Sequence, residues 1–128
     1  MILAVDPGSQ KCGLAVVDGQ GAILEKMVVP VRELSKAVSV IMDNYRISIF
    51  VVGDRTNSKI ISKNLEPYGL PVEMVDESYS SLEGRRRYLK DHNRGLMRLI
   101  PIGLRSPSEA YDDYVAVILA ERFLKKKD

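Results

Sequence analysis

Residues 1–18 read MILAVDPGSQKCGLAVVD. An apolar run from Ile2 to Val5 stops at Asp6. Pro7, Gly8, Ser9, Gln10, Lys11, Cys12 and Gly13 follow, and a second apolar run extends from Leu14 to Val17. The pattern predicts strand, turn and strand, with one carboxylate where the first strand stops. Gly8 and Gly13 permit close backbone approach in the turn. Ser9 and Lys11 are placed to meet an anion there. In α/β sheets the carboxyl ends of strands are where ligands bind, which makes Asp6 a candidate functional residue. The plainer alternative is an aspartate that turns a hairpin, and this stretch by itself leaves both open.

Beyond the turn Asp18-Gly19-Gln20-Gly21, residues Ala22 to Val29 predict a third strand, closed by Pro30. Three strands on short turns form an antiparallel meander. From Arg32 to Tyr45, apolar Leu34, Ala37, Val38, Ile41, Met42 and Tyr45 recur at spacings of three and four, the signature of an amphipathic helix. Ile47 to Gly53 is nearly all apolar and β-branched, as in a central strand covered on both faces. Asn57 or Ser58 can cap a helix that runs to about Tyr68 with Ile61 and Leu65 inward. Gly69 and Pro71 punctuate, and Val72 to Val75 predicts a fifth strand. Ser80 or Ser81 can cap a basic helix carrying Arg85, Arg86, Arg87 and Lys90. Residues 93–107 are expected to form a long loop, and a last helix runs from Glu109 to about Leu124. A meander followed by alternating helices and strands gives a mixed sheet with helices on both faces.

Composition narrows the field. A chain of 128 residues, 45% of them hydrophobic, is expected to form one domain over 1–128 with a sizeable core. A single cysteine, Cys12, allows no internal disulfide and fits a reducing, cytoplasmic setting. The first residues lack the basic start of a signal peptide, and no apolar run approaches the roughly 20 residues of a membrane span. The net charge is only +2, but it is uneven. Residues 1–83 carry 8 Lys/Arg against 11 Asp/Glu, whereas residues 84–128 carry 11 against 6. A basic half beside an acidic pocket suits a polyanion and a metal; ordinary solvated surface charge is the bland alternative.

The acids are placed at strand ends: Asp6, Asp54 and the pair Asp76-Glu77. Parallel strands gather their carboxyl ends on one edge, where these side chains can converge. In the last helix, Asp112 is followed at i+3, i+4, i+7 and i+8 by Val115, Ala116, Leu119 and Ala120, all apolar. Asp113 is followed at the same offsets by Ala116, Val117, Ala120 and Glu121. Asp112 is therefore expected on the more core-facing stripe, where an aspartate is costly unless paired or metal-bound. Glu109 lies one turn earlier. For Asp113 the helix dipole is reason enough. Hard oxygen ligands from separate elements, without a histidine cluster, point to Mg²⁺ or Mn²⁺ rather than zinc. His92, the single histidine, stands alone at the end of the basic helix and reads as a surface or phosphate-contacting residue.

Four stretches together carry a resemblance. They are Asp6-Pro7-Gly8-Ser9-Gln10-Lys11-Cys12-Gly13-Leu14-Ala15, Val51-Val52-Gly53, Val75-Asp76-Glu77, and Asp112-Asp113-Tyr114-Val115-Ala116-Val117-Ile118-Leu119. In order and spacing the chain resembles the YqgF (RuvX) family, nucleases linked to pre-16S ribosomal RNA maturation. That family is related to the RuvC Holliday-junction resolvases within the ribonuclease H-like fold. The resemblance implies a five-stranded mixed sheet, an antiparallel three-strand meander plus two parallel strands, with helices on both faces. It implies a metal site at Asp6, Glu77 and Asp112, with Glu109 matching an extra acid of the resolvases and Lys11 a basic position. The chain departs from the family at Gly53-Asp54-Arg55-Thr56, where Gly-x-Pro is usual. It departs again at Ser78-Tyr79-Ser80-Ser81, where Arg-Leu-Thr-Thr is usual. It reads as a divergent branch.

The expected function is metal-dependent hydrolysis of phosphodiester bonds in structured nucleic acid, an rRNA precursor or Holliday-junction-like DNA. Asp6, Glu77 and Asp112 are the expected catalytic residues, holding Mg²⁺ or Mn²⁺ with Glu109. Two such ions activate a water and stabilise the leaving oxygen. Ser9, Lys11, Arg55, Ser81, Arg85, Arg86, Lys90 and Arg94 are expected to contact nucleic acid, largely through backbone phosphates. No membrane partner is expected, and the chain is expected to be a monomer or homodimer. A non-catalytic nucleic-acid-binding module of the same fold is the alternative. Phosphotransfer is a third reading. The Asp-Pro-Gly-Ser turn also resembles the first phosphate loop of actin-like ATPases and sugar kinases, but those need two such domains. A receiver domain, with Asp54 phosphorylated, should begin strand–helix rather than with a meander.

Overall fold

The computed structural model describes residues 1–54, 57–76, 82–84, 86 and 112–127, and of residues 112, 113, 126 and 127 the backbone only. Five strands form one sheet: β1 (Ile2–Asp6), β2 (Lys11–Val17), β3 (Ile23–Pro30), β4 (Ile49–Gly53) and β5 (Val72–Val75). Their order is β3-β2-β1-β4-β5. The first three pair antiparallel, and β4 and β5 add on parallel to β1. No helix separates β1 from β2, so the receiver-domain topology is excluded. The tight β2–β3 turn is held by the Asp18 carboxylate, which accepts from the backbone N–H groups of Gln20 and Ala22 at 2.8 and 2.9 Å. Gly21 adopts φ 90°, the left-handed region that glycine enters without a Cβ penalty.

Among the described residues, α1 (Leu34–Asn44), α2 (Ser58–Leu65) and α3 (Asp112–Lys127) cover the sheet. The chain leaves Pro30 through a 3₁₀ turn, Val31–Glu33, before α1 begins, so the helix starts two residues later than its periodicity predicts. Leu34, Val38 and Ile41 are its buried face. At its far end Tyr45 hydrogen-bonds Glu25 of β3, and that bond holds the Tyr45 phenol above its ordinary pKa. A 3₁₀ turn, Glu66–Tyr68, finishes the stretch after α2, and Gly69 at φ 71° stops it.

Strand alternation sorts the core into two faces. Leu3, Val5, Cys12, Leu14, Val16, Phe50 and Val52 point one way and pack under α1 and α2, with Ile61 and Leu65 from the latter. Ile2, Ala4, Ala15, Val17, Val51 and Val75 point the other way and pack under α3. Helices therefore lie on both faces, as expected. The third helix differs from α1 in its burial. All of Tyr114 to Ala120 is buried, so these two turns of the helix are enclosed, while Glu121, Arg122 and Leu124 are half-buried and Lys125 is exposed. The position that sets Asp112 apart from Asp113 in the sequence is Glu121, i+8 from Asp113, and it is half-buried where Ala120, i+8 from Asp112, is fully buried.

Candidate active site

Asp6 is the last residue of β1 and is half-buried. It shares the parity of Ile2 and Ala4, so its carboxylate lies on the face covered by α3. Its partner across the ladder is Gly13, which puts no side chain beside it. Residues 11, 13, 15 and 17 share that face, so Lys11 also projects there, two residues beyond Gly13. From strand geometry, the Cα atoms of Lys11 and Asp6 are separated by about 8 Å. Cys12 points the other way, into the core under α1 and α2.

The turn between β1 and β2 is fixed from two sides. A Cβ on Gly8 would collide with the carbonyl oxygen of Lys11, so only glycine fits there. The Gly8 carbonyl in turn accepts a hydrogen bond from Asn57 Nδ2 at 2.9 Å, partly buried. Asn57 precedes α2 in the left-handed region, φ 64°, and makes no side-chain cap. The sequence suggests Asn57 as a helix cap; its amide is committed instead to the turn that follows Asp6. Asparagine tolerates the left-handed region better than most residues, which gives a local signal for its presence there.

The direction of α3 follows from its ends. Phe123 and Leu124 line a depression with Met1, Ile2, Ser48 and Ile49, the amino-terminal side of β1 and β4. Tyr114, near the start of α3, lies under the Lys26 ammonium at 4.3 Å from its ring centre. Lys26 is level with Ala15 and Ala4. The helix thus runs counter to β1, and its first residue, Asp112, is at the end toward the carboxyl edge where Asp6 lies. Arg122 clamps α3 to the end of β5. Its Nη1 donates to the Asp76 carbonyl at 2.7 Å, and its Nη2 donates to Glu83 Oε1 at 2.9 Å. This fork fixes the backbone one residue before Glu77. Arg122 has no motif signature; its role shows only when the elements are brought together.

The acids at the strand ends do not all share a side. Asp54 N–H bonds the Val75 carbonyl at 3.1 Å, continuing the ladder, so Asp54 keeps the parity of Phe50 and Val52 and belongs to the face opposite Asp6. Asp76 is exposed just past β5. Ser9 is exposed in the turn, and Arg86 is helical and exposed. Glu77, Glu109, Arg55, Ser81, Arg85, Lys90 and Arg94 lie outside the described residues, as do Arg87, His92 and the loop at 93–107. Among the described residues no group of three Asp, Glu, His or Cys side chains is gathered to hold a metal. The donor at the rim is nonetheless of the right kind: a carboxylate, with the one thiol of the chain turned to the other face. An oxygen-only donor set suits a hard divalent cation.

Comparison with solved structures shows the ribonuclease H-like fold. Fowlpox virus resolvase, solved with Holliday junction DNA, matches with a TM-score of 0.60 at 10% identity, covering 98% of this chain and 97% of that one. T. thermophilus RuvC in complex with a Holliday junction substrate matches at 0.56 and 16%, covering 98% and 94%. In sequence, proteins of Xanthomonas oryzae pv. oryzae and Xanthomonas axonopodis pv. citri described as "Putative pre-16S rRNA nuclease" are each 29% identical over 143 aligned positions, covering 99% of this chain and 88% of theirs. The resemblance drawn from the four motifs therefore extends along nearly the whole chain. No protein-family model matches. Among the described residues no helix is long and apolar enough to cross a membrane.

Proposed function

We propose that this protein is a divalent-metal-dependent nuclease that hydrolyses phosphodiester bonds of structured nucleic acid, an rRNA precursor or branched DNA. The observation that carries the proposal is the placement of Asp6, which ends β1 on the α3 face, beside a glycine, with α3 beginning at Asp112 toward the same edge. The names of the curated relatives and the resolvase fold support the reaction class. In this reading Asp6, Glu77 and Asp112 hold Mg²⁺ or Mn²⁺, with Glu109 as a further carboxylate. The bound ions would supply an activated water and charge stabilisation at the leaving oxygen. Asp6 is held in place by the β1–β2 ladder, in which it pairs with Gly13. Arg122 fixes the chain entering Glu77 through the Asp76 carbonyl. Ser9, Lys11, Arg55, Ser81, Arg85, Arg86, Lys90 and Arg94 hold the substrate through its phosphates, which gives affinity without sequence reading.

The test is a cleavage panel of junction DNA, single-stranded RNA and precursor ribosomal RNA with Mg²⁺ or Mn²⁺. Asp6→Asn should lower cleavage by at least about three orders of magnitude, as removal of a reacting-centre ligand does, while the melting curve is retained. Undiminished cleavage by that variant removes Asp6 from the mechanism. Tight nucleic-acid binding by the parent chain with no cleavage and no Mn²⁺ uptake would make it a binding module instead.

A further inference from the structure

Next to the turn that follows Asp6, an open cleft of about 410 Å³ is lined by Ser9, Gln10, Lys11, Pro30, Val31 and Arg32. Two chain segments make it. One is the start of β2, the other the end of β3 and the 3₁₀ turn after it. They are joined by the Lys11–Pro30 pairing and by the Val31 N–H, which donates to the Gln10 carbonyl at 2.9 Å. The lining includes two cationic side chains, a hydroxyl and a carboxamide, and no acid. Arg32 is exposed, as is Ser9. Arg32 takes no part in the core, and its neighbours Val31 and Leu34 pack inward without it.

We infer that this cleft is a phosphate subsite. Arg32, with Lys11 and Ser9, receives a backbone phosphate of the nucleic acid whose scissile bond lies at Asp6. The proposal rests on the nuclease reading and adds a direction to it. The strand leaves Asp6 across β2 toward the β3 edge, on the opposite side of the site from β4 and β5. Three features support it. Lys11 is on the Asp6 face of the sheet, within about two residues of it along the ladder. A guanidinium fork matches a phosphate's oxygens in pairs, and an ammonium adds a point charge beside it. A cleft between two tied segments also places its donors before the ligand arrives, so less ordering is needed on binding. The shared ligand chemistry is the phosphodiester, and DNA and RNA are the two sources to be told apart.

The experiment measures binding rather than turnover. The Asp6→Asn chain, which leaves substrate intact, is titrated by fluorescence anisotropy against labelled four-way junction DNA and, separately, labelled structured RNA, at several salt concentrations. Arg32→Glu in that background should weaken binding about tenfold and make the salt dependence shallower by about one counterion. Lys36→Glu on α1, exposed and outside the cleft, carries the same charge change and should stay within about twofold. Loss with only one of the two probes identifies the source of the phosphate. Equal losses in the two variants would reduce the effect to net charge and overturn the subsite, as would unchanged binding by Arg32→Glu. If the Asp6→Asn parent binds neither nucleic acid, the nuclease reading falls with it. A parent that binds but ignores Arg32 overturns the subsite alone.

Discussion

The two faces of the sheet are built from different side chains. Under α1 and α2 the core is bulky: Leu3, Leu14, Leu34, Ile41, Phe50, Ile61 and Leu65 fill it, and the Phe50 ring meets Tyr68 edge-on at 6.0 Å. Under α3 the sheet offers Ala4 and Ala15, and the helix answers with Ala116 and Ala120, all essentially without solvent exposure. Large side chains hold amphipathic helices at a distance and supply most of the burial that stabilises the fold. Small ones let a helix backbone settle close to the strands. The second face is therefore the one that can set the start of a helix against the end of β1 with little slack. The first face is a scaffold, and the second is a placement device.

This division can be broken at either face. Phe50→Ala removes a fully buried ring from the scaffold side and should cost about 3–5 kcal/mol of stability by transfer and cavity terms together. Below its lowered melting temperature the folded protein should keep the metal dependence and cleavage rate of the parent. A disproportionate loss of cleavage would show that the scaffold face is not separable from the site. Ala116→Leu overfills the other face and should cost less stability, about 1–3 kcal/mol, because the helix must lift or neighbours must leave their rotamers. It should lower cleavage more than Phe50→Ala does, measured on fully folded samples. If its specific activity stays at the parental value, the close packing of α3 does not place the site.

The same contrast explains what could be read from the sequence. The scaffold face was legible because α1 repeats its apolar residues at three and four and buries Leu34, Val38 and Ile41 as that pattern requires. The antiparallel meander and the central, near-continuously apolar β4 were legible as well, and the order of the strands in the sheet came with the structure. Asp6 was legible as a carboxylate at a strand end, and the motif resemblance extended along nearly the full length. The α3 face was not legible in the same way. A helix whose middle is buried all round carries a weak stripe, so periodicity separates Asp112 from Asp113 by Glu121 alone. Asp54 looked equivalent to Asp6 because both end strands, and only the register of β4 shows it on the opposite face. Asn57 and Arg122 were missed as ties because each acts on a backbone carbonyl far away in the chain. Gly8 is 49 residues from Asn57, and Asp76 is 46 from Arg122. Side chain to backbone bonds of that span leave no local spacing to find.

The smallest expected effect tests the placement of Asp6 without touching either core. Asn57 contributes two separable things: a residue that accepts φ 64°, and an amide that donates to the Gly8 carbonyl. Asn57→Gly keeps the first and deletes the second. One partly buried hydrogen bond is worth about 0.5–1.5 kcal/mol, so melting should fall by a few degrees. Cleavage should fall severalfold as the turn beyond Asp6 loosens, with substrate affinity little changed. Asn57→Asp accepts the same backbone but sets a carboxylate against the carbonyl oxygen, an acceptor against an acceptor, and should be worse than glycine in cleavage. Asn57→Ala should lose more stability than glycine, since alanine pays for the left-handed backbone as well. If Asn57→Gly and Asn57→Asp cleave alike at the parental rate, the amide does not steady the turn, and the ladder around Asp6 must hold the carboxylate unaided.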